Sequence, residues 1–117
     1  MVDDDEDVRA LLQMNLEADE RFEFVGEATD GSEMLALLLR SAPDVVILDL
    51  DMPQVDGLEA LGTIRNNRPT AMVVVFSARY DKYDADDLVG ARANLYVDKA
   101  RPVPDLLEEI VRLAIGT

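Results

Sequence analysis

Five polar side chains, Asp3, Asp4, Asp49, Ser77 and Lys99, each stand at or just past the end of a short apolar stretch. Asp3 and Asp4 follow Met1-Val2, Asp49 follows Val45-Val46-Ile47-Leu48, Ser77 follows residues 71–76, and Lys99 comes just past Leu95-Tyr96-Val97. If these stretches are neighbouring strands of one parallel sheet, three carboxylates, a hydroxyl and an ammonium converge on its carboxyl-terminal edge. Carboxylates crowded in a partly desolvated place repel one another and titrate together. A hard divalent cation relieves that repulsion, and Mg2+ suits it: it takes oxygen ligands, keeps several waters and shares its sites with phosphate. Beside such a cation a free carboxylate is placed to receive a phosphoryl group, with Lys99 and Ser77 able to neutralise or hydrogen-bond the remaining phosphoryl oxygens. Singly, each residue has a plainer reading. The run from Asp3 to Asp7 suits a solvated helix N-terminus with Asp5 or Asp7 as its cap. Lys99 alone reads as a surface lysine, Ser77 as a loop hydroxyl and Tyr96 as a half-buried strand aromatic. The argument is joint, because the polar groups fall at the same end of different strands.

Composition narrows the chemistry further. The chain of 117 residues has no Cys and no His, which excludes thiol nucleophiles, Cys-ligated metals, His triads and His proton shuttles. An oxygen-only Mg2+ site is the metal chemistry that remains natural. Eleven Lys+Arg against 25 Asp+Glu give a formal net charge of −14, which argues against direct binding to nucleic acid or to an anionic membrane. The longest apolar runs are about six residues, far short of the ~20 that a membrane helix needs. No charged-then-apolar leader opens the sequence. The expectation is a single cytoplasmic α/β domain over residues 1–117.

The elements that must position the site follow from periodicity. Residues 45–48 and 71–76 are continuous β-branched runs of the kind that are covered on both faces of a parallel sheet. Residues 22–28 and 95–97 are weaker strand candidates. Helical spacing joins Val8, Leu11, Leu12 and Leu16; Met34, Leu35, Leu38 and Leu39; Leu58, Leu61 and Ile64; and Val103, Leu106, Leu107, Ile110 and Ala114. Residues 82–91 form a more polar helical stretch. Alternation of this kind predicts a doubly wound parallel sheet of five strands with right-handed crossovers and helices on both faces. Only Met1-Val2 precede the acidic cluster, so the first strand is cut short. Either the numbered chain begins inside a longer protein, which we prefer, or that strand is a stub.

Val2-Asp3-Asp4 with Arg9 five residues later, the stretch Asp49-Leu50-Asp51-Met52-Pro53-Gln54-Val55-Asp56-Gly57, Ser77-Ala78 and Tyr96-Val97-Asp98-Lys99 together resemble the response-regulator receiver family, the CheY-like phosphoacceptor domains of two-component signalling. The likeness spans almost the whole chain, and the D-x-D-M-P-x-x-D-G stretch is its most specific part. It implies a flavodoxin-like fold with strand order 2-1-3-4-5. It implies that Asp49 accepts a phosphoryl group from a sensor histidine kinase or phosphotransfer protein. Asp3 and Asp4 match the acidic pair that holds Mg2+ with Asp49 and the backbone carbonyl of Asp51. Lys99 matches the lysine that pairs with phosphoryl oxygens, Ser77 the switch hydroxyl, and Tyr96 the aromatic that changes rotamer with it. The same likeness implies a regulatory domain rather than an enzyme, acting only in its own phosphotransfer and dephosphorylation. Its face around residues 80–110 would signal to an output domain or downstream protein, or pair two copies as a homodimer.

Three departures stand out: Leu95 where the family usually has Gly, Arg92 near a common Gly position, and Ala100 where many members have Pro after the lysine. They touch the loop after Lys99 and the output surface, not the phosphorylation chemistry. Two rival readings remain. One is a receiver-like interaction module that no longer depends on phosphorylation; it usually lacks the acidic pair, the acceptor or the lysine, and none is missing here. The other is a haloacid-dehalogenase-type phosphatase, suggested by Asp49-Leu50-Asp51. Against it stand Pro53, where that family wants Thr or Val, and the absence of an acidic motif at a later strand end.

Overall fold

The computed structural model describes residues 1–49, 56–77 and 93–115. Its elements run α1 (Glu6–Ala18), α2 (Gly31–Ser41), β1 (Val45–Leu48), α3 (Gly57–Asn67), β2 (Met72–Ser77), β3 (Leu95–Asp98) and α4 (Val103–Ile115). β1, β2 and β3 form a parallel sheet in that order, with Val45 opposite Met72, and Val74 opposite Leu95. Beyond β1, Val2 makes parallel bridges to both Leu48 and Ala28. The lateral order is therefore Ala28, Val2, β1, β2, β3, which is the expected 2-1-3-4-5.

The first two positions of that order are single bridges rather than strands. Residues 22–28, expected as a strand, are irregular except at Ala28. A strand needs a ladder, and here the neighbour offers little more than Val2: Ala28 N–H donates to Met1 O (2.9 Å) and Asp3 N–H to Ala28 O (3.1 Å). Gly26 adds a second reason, because its φ of 152° is one that other residues rarely adopt, and a Cβ there would lie 2.6 Å from Leu37 Cδ1. The helix expected over 82–91 lies outside the described residues, as do Asp51, Met52, Pro53 and Arg92.

Alternate residues of the apolar runs feed two cores, which is why the runs are continuous. Val46, Leu48, Val73 and Val75 pack against α2 and α3 through Met34, Leu38, Leu61 and Ile64. Ile47, Val74, Phe76 and Val97 pack against α1 and α4 through Leu12, Leu16, Leu106 and Ile110. Each fully buried aliphatic side chain contributes about 1.5–3 kcal/mol relative to exposure, so the sheet is held from both faces. Three aspartates start the helices: Asp5 accepts from Asp7 and Val8 N–H, Asp30 from Glu33 N–H, and Asp56 from Leu58 and Glu59 N–H. Each such cap stabilises its helix by about 1 kcal/mol and fixes where the loop from the preceding strand must end.

Candidate functional site

The carboxyl-terminal edge of the sheet gathers the acidic residues. Val2 N–H donates to Ile47 O (2.8 Å) and Asp49 N–H to Val2 O (2.9 Å), so Asp3 and Asp49 leave neighbouring backbone positions side by side. Both are buried, each 2% exposed. Lys99 follows β3, where its N–H donates to Ser77 O (3.3 Å). Its Nζ sits between the two carboxylates, 2.9 Å from Asp3 Oδ2 and 3.1 Å from Asp49 Oδ2. Asp4 is exposed, yet its carboxylate lies with those of Asp3 and Asp49, with one oxygen of each within 4.8 Å of the others.

Burying two carboxylates costs several kcal/mol per ion unless a partner compensates. Asp3 shows the tension. Burial raises its pKa, opposed by hydrogen bonds from Asp5 N–H (2.9 Å) and from Lys99. For Lys99, burial pulls the pKa down, but the bonds and charges of Asp3 and Asp49 outweigh it and the net shift is upward. One ammonium thus serves two buried carboxylates, with an exposed third beside them. Hard oxygen donors, excess negative charge and mutual separations within 4.8 Å fit Mg2+, whose octahedron at 2.0–2.1 Å sets opposite ligands about 4 Å apart.

Of the residues expected at the site, Asp3, Asp4, Asp49 and Lys99 meet in the structure. Ser77 ends β2, is wholly buried and lies opposite Asp98, one residue before Lys99. Asp51, expected to contribute a backbone carbonyl, lies outside the described residues. Tyr96 lies opposite Val75 and packs on the α2–α3 core. Its hydroxyl donates to Ala93 O (3.4 Å), back toward the start of β3, and burial raises its pKa. Two contributions escaped the sequence reading. Asp5, expected as a helix cap, also holds Asp3 Oδ1 through its N–H, and Arg9 Nη1 donates to Asp3 O (2.8 Å). Arg9 was visible only as a spacing mark, since nothing in a sequence says that a guanidinium reaches a backbone carbonyl.

Comparison with known proteins shows what the chain is similar to. Residues 1–111 match the response regulator receiver domain family. The nitrate/nitrite response regulator protein homolog of Haemophilus influenzae is 33% identical over 116 residues, covering 99% of this chain and 56% of that protein. A protein-glutamate methylesterase/protein-glutamine glutaminase of Agrobacterium fabrum is 35% identical over 119 residues, covering 94% of this chain and 33% of that protein. Among solved structures, a CheY-like receiver domain protein from Methanospirillum hungatei superposes with a TM-score of 0.82 at 26% identity, covering 95% of this chain and 87% of that one. The chain spans about half or less of the length of these curated relatives. The expectation of a purely regulatory, non-enzymatic protein is corrected by the second relative: sequences of this kind occur within enzymes.

Proposed function

The chain belongs to the response-regulator receiver family, and from that premise we propose that residues 1–117 are one phosphoacceptor domain switched by phosphorylation of Asp49. The observation that carries this reading is the buried Asp3–Lys99–Asp49 arrangement with the Asp4 carboxylate beside it. Asp3, Asp4, Asp49 and, by resemblance to the family, the backbone carbonyl of Asp51 would hold Mg2+, which when bound would offset the charge of phosphoryl oxygens. The donor is a phosphohistidine of a sensor histidine kinase or phosphotransfer protein. An Asp49 carboxylate oxygen attacks phosphorus, the phosphorus–nitrogen bond breaks, and its electron pair stays on the imidazole nitrogen. Lys99 releases Asp49 and turns its ammonium to the incoming phosphoryl oxygens, which its flexible stem permits. The Ser77 hydroxyl donates to another phosphoryl oxygen, and Tyr96 gives up its long bond to Ala93 to follow.

Phosphorylation adds charge and strong acceptors at one sheet edge and biases an existing equilibrium of the face around residues 80–110. An output domain, a downstream protein or a second copy in a homodimer reads that face in the cytoplasm. The test is incubation with a small-molecule phosphodonor and Mg2+, read by intact mass. The parent gains one phosphoryl group, and Asp49→Asn gains none. Equal labelling of the Asp49→Asn variant overturns the assignment.

A further inference from the structure

Resting on the Mg2+ reading above, we propose that Arg9 is a positioning residue that locks the Asp3–Asp4 turn into its cation-binding shape. The acidic pair has little strand to stand on, because Val2 is a lone bridge residue and Asp3 N–H makes the last bond to Ala28 O, at 3.1 Å. Past that point the chain is shaped by a closed ring of hydrogen bonds. Asp5 N–H donates to Asp3 Oδ1 (2.9 Å), Arg9 N–H donates to Asp5 O (3.0 Å), and Arg9 Nη1 donates to Asp3 O (2.8 Å). The ring grips Asp3 at its carboxylate and at its carbonyl, so Asp4 is bracketed between fixed points.

The guanidinium occupies this place at a cost. The Arg9 side chain is 14% exposed, and its nearest carboxylate, Glu27 Oε2, stands 3.7 Å from Nε. Nε itself is buried with no hydrogen-bond partner among the described residues. A buried donor left unmet needs an explanation. Here it is that the Nη1 contact to Asp3 decides where the group sits, while Nε is left short of Glu27. The α1 helix does not depend on Arg9, since Asp5 caps it and Leu12 and Leu16 anchor it in the core. The positive charge of the arginine eases the crowding of carboxylates without metal but repels an incoming cation, so a loss of Mg2+ affinity on its removal reports positioning and not charge. Lysine would keep the charge but not the planar fork that reaches the carbonyl at a set angle.

The experiment titrates Mg2+ into the 117-residue chain by calorimetry and follows backbone 15N relaxation of Asp4 without metal. Groups that orient metal ligands typically change affinity 10–100-fold, so Arg9→Met weakens Mg2+ binding about tenfold, with faster motion at Asp4 and a nearly unchanged urea midpoint. Arg9→Lys, which keeps the charge but not the fork, recovers neither the affinity nor the rigidity of Asp4. Unchanged Mg2+ affinity and unchanged Asp4 relaxation in Arg9→Met overturn the proposal, and so does a lowered urea midpoint with unchanged affinity. If Arg9→Met does not fold, Arg9→Lys and Arg9→Gln decide by the same measurements. If the parent itself binds no Mg2+, the metal reading fails, and Asp4 relaxation alone still decides whether Arg9 sets the turn.

Discussion

Two nearly buried cations stand at opposite ends of the sheet, and their surroundings differ in kind. At the carboxyl edge, Lys99 faces the charged oxygens of Asp3 and Asp49. At the amino edge, Arg65 of α3, 7% exposed, donates to the backbone carbonyls of Ala71 (2.5 Å) and Pro69 (3.3 Å) and to Asn94 Oδ1 (2.5 Å). Asn94 Oδ1 also accepts from Val73 N–H (2.8 Å), so the arginine ties α3 to the entrances of both β2 and β3. A planar fork that reaches several fixed oxygens at once acts as scaffold. A compact ammonium on a flexible stem, shared by two carboxylates, has several arrangements of similar energy and can change partner. The same sheet therefore fastens one end firmly and keeps the other adjustable.

Replacing Arg65 gives the largest effect that this contrast predicts. Arg65→Met removes charge-assisted bonds worth about 1.5–3 kcal/mol each and takes this donor from the buried Ala71 carbonyl, so the chain loses about 3 kcal/mol in urea unfolding. Added Mg2+ does not restore that loss, because among the described residues the carboxylate cluster that could hold it lies at the other end. A loss below about 1 kcal/mol, or one that Mg2+ repairs, would erase the distinction between the two ends.

Lys99→Met is the complementary change. It leaves two buried carboxylates without their ammonium; a fully buried pair loses about 3–5 kcal/mol this way, but the Lys99 side chain is 18% exposed, so the expected loss in metal-free buffer at neutral pH is about 2 kcal/mol. The sign with pH is definite. Lys99 has a raised pKa, so its contribution is complete below 10.5 and is lost only as pH rises through the higher folded value. In the variant the carboxylates set the trend instead, so its deficit relative to the parent shrinks as pH falls and Asp3, already raised by burial, takes up a proton. Mg2+ also shrinks the deficit. Urea unfolding across pH, with and without Mg2+, checks both trends. A deficit indifferent to both would mean that Lys99 is scaffold, as Arg65 is.

The sequence made one end far more legible than the other. Asp49 and Lys99 were readable because each follows an apolar run, and β1 and β2 were readable because strands covered on both faces leave uninterrupted Val and Ile. Arg65 and Asn94 carried no such mark. The oxygens that Arg65 reaches, two backbone carbonyls and the Asn94 amide oxygen, are brought together only by the fold that joins α3 to β2 and β3, and no spacing rule encodes that meeting. Residues 22–28 misled for a related reason. Phe22 and Phe24 alternate as in a strand, and both pack on the α1–α4 core, but the ladder that would make them a strand depends on a neighbour that meets Ala28 through Val2 alone. The helix expected at 82–91, the carbonyl of Asp51 and the first part of the proposed signalling face, up to residue 92, lie outside the described residues.

The smallest effect comes from a third ionic cluster, on the surface, which calibrates the other two. Arg21 donates to Asp19 Oδ2 (2.8 Å) just past α1 and to Glu108 Oε1 (2.7 Å) on α4, joining the two helices of one sheet face. The Arg21 side-chain hydrogen bond, helped by the Arg21 backbone N–H, lowers the Asp19 pKa from 3.8 to about 2. This is the opposite of Asp3, whose pKa burial raises. A depressed carboxylate contributes stability above its unfolded pKa and loses it as pH falls through the folded value. The Asp19 contribution is therefore whole above 3.8 and disappears toward about 2. Exposed pairs of this kind are screened and contribute little. Arg21→Ala accordingly leaves the urea midpoint at neutral pH nearly unchanged, while flattening acid unfolding across that window. High salt mimics the substitution in the parent, because it screens the surface cluster, but it barely moves the Lys99 deficit, because Asp3 and Asp49, which Lys99 bridges, are buried. If salt erased both effects equally, the carboxyl edge would be as solvated as the surface, and burial could not be what sets Lys99 apart.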